Sequence, residues 1–334
     1  MRTVGRHLPF CLSVFLLLSC GNTKKSTAET ETVQKTVGPA FVADSAYLFC
    51  QQQCDFGPRT MNSEAHDRCG EWIAEKFRQY GMEVTLQRAD LPGYDGTKLK
   101  STNIIAAYRP ELTPRLLLCA HWDSRPWADN DPDEANRRKP VMAANDGASG
   151  VAVMLEVARL LAADTLALGI DFICFDAEDW GTPQWTEDEL SDAATWALGA
   201  QYWAAQYAAT PSAPRYRYGI LLDMVGGEGA RFYQEQVSLY FAPDVVRRVW
   251  SAAQTVGYGS LFPKEEGGAI TDDHVPLNRV AGIPCIDIIP YYPDCEASSF
   301  GPTWHTVSDD MQHIDSNTLK AVGQTVIQVL FSEQ

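Results

Sequence analysis

The chain has 334 residues, 45% of them hydrophobic and 21% charged, and carries a formal net charge of −16 at pH 7. So acidic a surface is no natural partner for nucleic acid or an anionic bilayer. Beyond residue 40 neither an internal repeat nor a shift in composition divides the chain. That leaves about 290 residues for one large domain, enough to bury roughly three quarters of its unfolded surface.

The beginning reads as an export signal. Arg2 and Arg6 precede an apolar run at 10–18 that is too short to span a bilayer as a stable helix. The run ends in Leu17-Leu18-Ser19-Cys20-Gly21, which resembles the lipobox of bacterial lipoproteins. On that reading residues 1–19 are removed, Cys20 carries lipid, and the product is periplasmic and membrane-anchored through the lipid alone. An ordinary secretory signal with a chance cysteine is the alternative. Residues 20–40, rich in Thr, Lys, Glu and Ser, follow as a flexible tether, and 41–334 as a single domain.

Seven cysteines remain in the body: Cys50, Cys54, Cys69, Cys119, Cys174, Cys285 and Cys295. Cys119 and Cys174 lie in apolar runs and are expected to be buried thiols. A disulfide among Cys50, Cys54 and Cys69, or between Cys285 and Cys295, is an expectation for an oxidising compartment; sequence alone does not fix the pairing.

Along the body, strand and helix patterns alternate. Residues 63–80 have helical periodicity with Ile73 and Phe77 on one face, and Gly81 ends it. Strand patterns follow at 83–91, 101–108 and 115–120, then a helix at 150–163 with Val151, Met154, Leu155, Ala158 and Leu161 inward. The central strand is 170–175, apolar apart from Asp171. A Trp-rich loop, a helix at 192–208 and a strand at 218–225 come next. Residues 232–241 alternate like a strand, 243–255 are helical, 283–289 form a strand and 316–331 an amphipathic helix. This order predicts an α/β sandwich around a largely parallel sheet.

Acids and histidines recur where these strands end. His121-Trp122-Asp123 follows the strand at 115–120, and Asn145-Asp146-Gly147 precedes the helix at 150. Glu178-Asp179 follows the central strand, and Asp223 lies near the end of the next one. Asp272-Asp273-His274 sits in a loop, and Trp304-His305-Thr306 comes after the strand at 283–289. Open α/β sheets bind ligands beyond the carboxyl ends of their strands. Two adjacent carboxylates there point to one that holds a cation and one that moves a proton. A catalytic divalent metal takes three protein ligands and keeps one position open. Asp146, Asp179 and His305 would supply two anions and an imidazole, and two glycines just after Asp146 let backbone come close. His274 and His313 have no such support and are read as surface or supporting groups. His66, beside Asp67 and Arg68 on a helix, is read as solvated.

Taken together, these motifs resemble those of the glutaminyl cyclases, or glutaminyl-peptide cyclotransferases, of the zinc aminopeptidase-like superfamily, in order from about residue 63 to the last helix. The resemblance implies a three-layer α/β/α sandwich around a mixed, mostly parallel sheet. It implies one zinc per chain on Asp146, Asp179 and His305, with Glu178 as the proton-transfer residue. Asp223 and Asp272 become catalytic hydrogen-bonding partners in the pocket, and Trp304 and Trp185, the latter matching with an offset of one, the indoles around the substrate; the sequence itself offers Trp180 and Trp122 as further candidate walls. His121 and Asp287 would support the site from behind. Asp287 stands where animal cyclases carry a histidine, which marks a bacterial type, and Asp179 replaces the glutamate common in relatives. The implied reaction converts N-terminal glutamine of peptides and secreted proteins to pyroglutamate with release of ammonia.

Two rivals keep the same residues. In a two-zinc aminopeptidase His121 and Asp223 would bind a second ion, Asp146 would bridge, and Glu178 would activate water. A peptide-binding lipoprotein without catalysis is the third reading, against which the intact Glu178 speaks. The tryptophan before His305 and the paired acids at Asp272 favour the cyclase.

Overall fold

A computed structural model describes residues 35–186 and 192–333. Residues 1–19 and most of the tether lie outside them. The described elements are helices α1 (Ala43–Cys54) and α2 (Glu64–Gln79), strands β1 (Glu83–Pro92), β2 (Lys98–Tyr108) and β3 (Arg115–His121), helix α3 (Ala148–Ala163) and strand β4 (Gly169–Phe175). Then come helices α4 (Asp192–Thr195) and α5 (Leu198–Ala208), strand β5 (Tyr216–Leu222), helices α6 (Gln236–Phe241), α7 (Pro243–Thr255) and α8 (His274–Pro276), strand β6 (Cys285–Ile288) and helix α9 (Ser316–Ser332).

Among the described residues six strands form one sheet in the order β1-β2-β4-β3-β5-β6. β4, β3, β5 and β6 run parallel, and the β1-β2 hairpin adds an antiparallel edge to β4. The two middle strands are buried on both faces, and their alternate residues feed two separate cores. Leu116, Leu118, Ala120, Ile170, Phe172 and Cys174 face the larger core with α1, α2, α3, α7 and α9. Leu117, Cys119, Ile173 and Phe175 face the smaller one, filled by Ala200, Trp203 and Ala204 of α5. Helices on both sides of a mixed sheet give the expected three layers. No described helix is long and apolar enough to cross a membrane.

The structure corrects four expectations. The helix predicted at 192–208 is two helices, because Ala197 adopts φ +54° between them. An alanine-rich run carries no stop signal for such a break. Residues 232–241 do not form a strand: Glu235 caps the amides of Val237 and Ser238, so Gln236–Phe241 coils into α6. His66 is not solvated. It falls on the inward face of α2 with Cys69, Gly70 and Ile73, stacks on Trp122 at 4.2 Å, and bonds Asp176 through Nε2 at 2.9 Å. Finally, all seven body cysteines are free thiols, six of them buried, and Cys50 donates to the Ala144 carbonyl at 3.0 Å.

Candidate active site

Parallel pairing sets the carboxyl ends of β4, β3, β5 and β6 along one edge of the sheet. His121 closes β3 opposite Phe175, the last residue of β4. The chain then turns through Asp176 and Ala177, the latter at φ +54°, to present Glu178 and Asp179. Asp223 follows β5, its amide bonded to the Ile288 carbonyl of β6 at 3.2 Å. Asp146 arrives from the turn ahead of α3, where Gly147 adopts φ +102° and a Cβ would lie 2.8 Å from His121 Cε1. Only glycine permits that approach. Gly150, on the first turn of α3, plays the same part against β5: a Cβ there would meet the Leu222 carbonyl at 2.2 Å.

Asp146, Asp179 and His305 converge. Each has a candidate ligand atom within 4.8 Å of the others, and all three residues are buried. His305 Nε2 lies 3.5 Å from Asp146 Oδ2 and 3.3 Å from Asp179 Oδ1. Asp179 Oδ2 is buried without a hydrogen-bond partner among the described residues. Two carboxylates and an imidazole sharing a buried space fit a divalent metal of the zinc type. Burial raises the Asp179 carboxyl, and the Asp146 charge adds to this against the pull of His305. Burial also acts on Asp146, but the hydrogen bond from His121 and the cationic neighbours outweigh it and hold that carboxyl below its usual range. Asp123 orients the pair at 178–179 by accepting from the Glu178 amide at 3.1 Å and the Asp179 amide at 3.2 Å. Asp309 does the same for the other loop, accepting from Asn145 at 2.8 Å and Asp146 at 3.0 Å. Sequence reading singled out neither role.

His121, Asp146 and Asp223 form a second set of converging donors. Here the imidazole already spans the carboxylates, with Nε2 at 2.9 Å from Asp146 and 3.2 Å from Asp223. A third set is Asp272, His274 and Asp287, all buried. His274 is thus no surface group: it faces Glu235 at 3.2 Å and Asp287 at 4.0 Å. His313, on the α9 side, is partly exposed and pairs with Asp310.

Next to the first set a cavity of about 240 Å³ is walled by Asp146, Glu178, Asp223, Asp272, Trp196, Phe300 and Trp304. Burial pushes Glu178 well above the ordinary glutamate value, and the charges of Asp179 and Asp272 push the same way. Burial likewise lifts Asp223 to about 6 and Asp272 to about 7. Asp287 is fully buried on β6 close to Asp272, with neither carboxylate oxygen hydrogen-bonded among the described residues, and burial with the charges of Asp272 and Asp223 drives it well above the usual range.

One expected wall is elsewhere. Trp185 is not part of this cavity: it packs edge-on against Trp127 at 5.9 Å and beneath the Arg138 guanidinium at 3.9 Å. Trp180 also packs on Trp127, and Trp122 is buried against His66. The second indole is Trp196, which the break at Ala197 turns inward, parallel to the His305 ring at 5.9 Å. Trp304 covers the same imidazole at 3.7 Å.

A mixed sheet whose parallel strands end in buried carboxylates and histidines around a cavity defines a zinc exopeptidase-like enzyme fold. Residues 103–330 match the Peptidase family M28, and the chain belongs to that family. It is 52% identical to a glutaminyl cyclase of Bacteroides thetaiotaomicron solved as a crystal structure, over 89% of this chain and 100% of that one, with a TM-score of 0.86. A structure described as a leucine aminopeptidase precursor from the same organism is 51% identical, over 90% of this chain and 100% of that one, with a TM-score of 0.84. Bos taurus glutaminyl-peptide cyclotransferase is 25% identical over 265 residues, covering 70% of this chain and 66% of that one. The chain spans between 37% and 66% of the length of the first three curated relatives it matches. Family and donor set together imply zinc.

Proposed function

We propose that this protein is a zinc-dependent glutaminyl-peptide cyclotransferase that holds one zinc per chain on Asp146, Asp179 and His305. The observation that carries the reading is the cavity: about 240 Å³, lined by Trp304 and Trp196, with Glu178, Asp223 and Asp272 on its walls beside the ligand set. It is smaller than the roughly 300–1,000 Å³ typical of drug-sized ligands, which suits one terminal side chain and its amine. Resemblance to cyclases over nearly the whole body supports the same choice.

Zinc held there supplies a Lewis-acid face for a carbonyl oxygen. The rest falls to side chains. Trp304 and Trp196 exclude water and hold the glutamine folded back, so that its α-amine meets its own γ-carbonyl; nucleophile and electrophile belong to one residue, and no water need be activated. Asp223 and Asp272 hydrogen-bond the amine. Glu178 takes a proton from that amine as the new C–N bond forms and delivers it to the γ-nitrogen as the old one breaks, which releases ammonia and leaves pyroglutamate.

A second reading has its own support: the donors of His121, Asp146 and Asp223 also converge within 4.8 Å, as a second zinc of an aminopeptidase requires. Incubating the zinc-loaded protein with a Gln-initiated dipeptide amide and with a leucine anilide separates the two. The cyclase reading expects ammonia and a pyroglutamyl product from the first and nothing from the second. Release of the terminal amino acid would refute it. Export with a lipid on Cys20, a tether to about residue 40, and N-terminal Gln peptides and secreted proteins as substrates are part of the proposal. The first twenty residues support the anchor, and loss of membrane association in Cys20→Ser tests it.

A further inference from the structure

We propose that Arg125 and Asp129 are positioning residues that fix the His305 imidazole and the Asp179 carboxylate as one rigid unit. This rests on His305 and Asp179 being zinc ligands. An imidazole binds a metal well only when its ring is held in one orientation and its other nitrogen keeps the proton, a task usually given to a carboxylate. His305 Nδ1 faces Asp129 Oδ1 at 3.5 Å, an ion-pair approach longer than a good hydrogen bond, and it has no hydrogen-bond partner among the described residues, so Asp129 is the acceptor placed to take its proton. A proton kept there leaves the Nε2 lone pair directed at Asp146 and Asp179.

Asp129 is itself immobilised. It is fully buried, and Arg125 grips it with a two-pronged contact, Nε to Oδ1 at 2.8 Å and Nη2 to Oδ2 at 2.6 Å. The remaining prong, Nη1, reaches the Asp179 carbonyl at 3.2 Å and its Oδ1 at 3.4 Å, with the Gly181 carbonyl at 3.3 Å. A planar guanidinium can serve both neighbours in this fixed geometry, and a lysine cannot. Its plane also lies 4.7 Å over the Trp196 ring, the indole parallel to His305. The loop carrying Asp129 holds the histidine backbone as well: the Asn130 amide donates to the His305 carbonyl at 3.0 Å and the Asn130 side chain to the Trp304 carbonyl at 3.2 Å. His305 needs that restraint, because its φ of +54° is a conformation few non-glycine residues adopt without support.

The test is zinc affinity of full-length protein, by chelator competition, for wild type, Asp129→Asn, Arg125→Lys and His305→Ala, with melting of each metal-free form alongside. Asp129→Asn and Arg125→Lys are expected to weaken zinc by about 10- to 100-fold in protein that remains folded without metal, even where the metal-free melting temperature falls. Cobalt-substituted Asp129→Asn should also show shifted d–d bands, which a residue serving only loop stability would not move. Should Asp129→Asn fail to fold, Arg125→Lys carries the same test. Wild-type affinity together with unshifted cobalt bands in the folded variants overturns the proposal, provided His305→Ala has lost zinc. If His305→Ala keeps zinc instead, the ligand assignment falls, and the positioning role falls with it.

Discussion

Replacing Glu235 by glutamine should cost about 3 kcal/mol of stability at pH 7, most of which disappears on acidification. One carboxylate there collects five contacts: Oε1 accepts from Val237 at 2.7 Å and Ile270 at 2.9 Å, and Oε2 from the Ser238 amide at 2.6 Å and hydroxyl at 2.7 Å, with His274 Nε2 at 3.2 Å. Burial alone would raise this carboxyl, but His274, Ser238 and the Ile270 amide outweigh it and hold it down at about 2. Against an ordinary glutamate value near 4.5, that difference of about 2.5 units at about 1.36 kcal/mol each gives the figure. The sign follows from the depressed value. Stability from Glu235 is fully present above the unfolded-state value and is lost as pH falls from about 4.5 toward about 2. Glutamine keeps one acceptor but turns its NH₂ toward donors, so the variant lacks this contribution at every pH. Urea unfolding of the metal-free wild type and Glu235→Gln at pH 7, 5 and 3.5 reads it out. A gap below about 0.5 kcal/mol at pH 7, or one that does not narrow by pH 3.5, would refute the reasoning.

Glu178→Gln is expected to bind zinc like wild type and lose roughly 10²- to 10⁴-fold in kcat, the usual range for a proton-transfer group; near-normal turnover would remove Glu178 from that role. Trp196→Ala should raise KM at least fivefold by opening the cavity, whereas Trp185→Ala, on an indole outside it, should leave KM within about twofold. The reverse pattern in steady-state kinetics would return Trp185 to the substrate site. Gly150→Ala should fail to accumulate as folded protein, since its Cβ would sit 2.2 Å from the Leu222 carbonyl, and circular dichroism with a melt decides it.

How much of this was legible in the chain depended on whether a feature is local. The strand-end motifs were, because a buried apolar run stopping at an acid marks both the strand and its exit: His121, Glu178-Asp179 and Asp223 fall where such runs end. Which of them meet was not derivable from spacing, since Asp146, Asp179 and His305 are joined by sheet order and by two loops. Trp185 matches the position of a substrate indole only with an offset of one residue. The true second wall, Trp196, depends on a left-handed alanine that no composition signals. The inward face of His66 is hidden in the sequence because its charged neighbours point to the other side of α2, and the helix inside 232–241 because a glutamate cap such as Glu235 is less conspicuous than a serine or aspartate one. The expected disulfides failed for a tertiary reason: Cys285 is buried in β6 and Cys295 lies in a loop beyond it, while Cys50 and Cys54 share one helix. Arg125 and Asp129 carry no local mark at all.

The most direct test is zinc content and product in the same preparation: metal analysis of dialysed protein, with the fate of a Gln-initiated dipeptide amide followed by mass spectrometry. One zinc per chain, lost in His305→Ala, together with a product lighter by one ammonia, is the predicted result. Two zincs per chain with free glutamine released would contradict it.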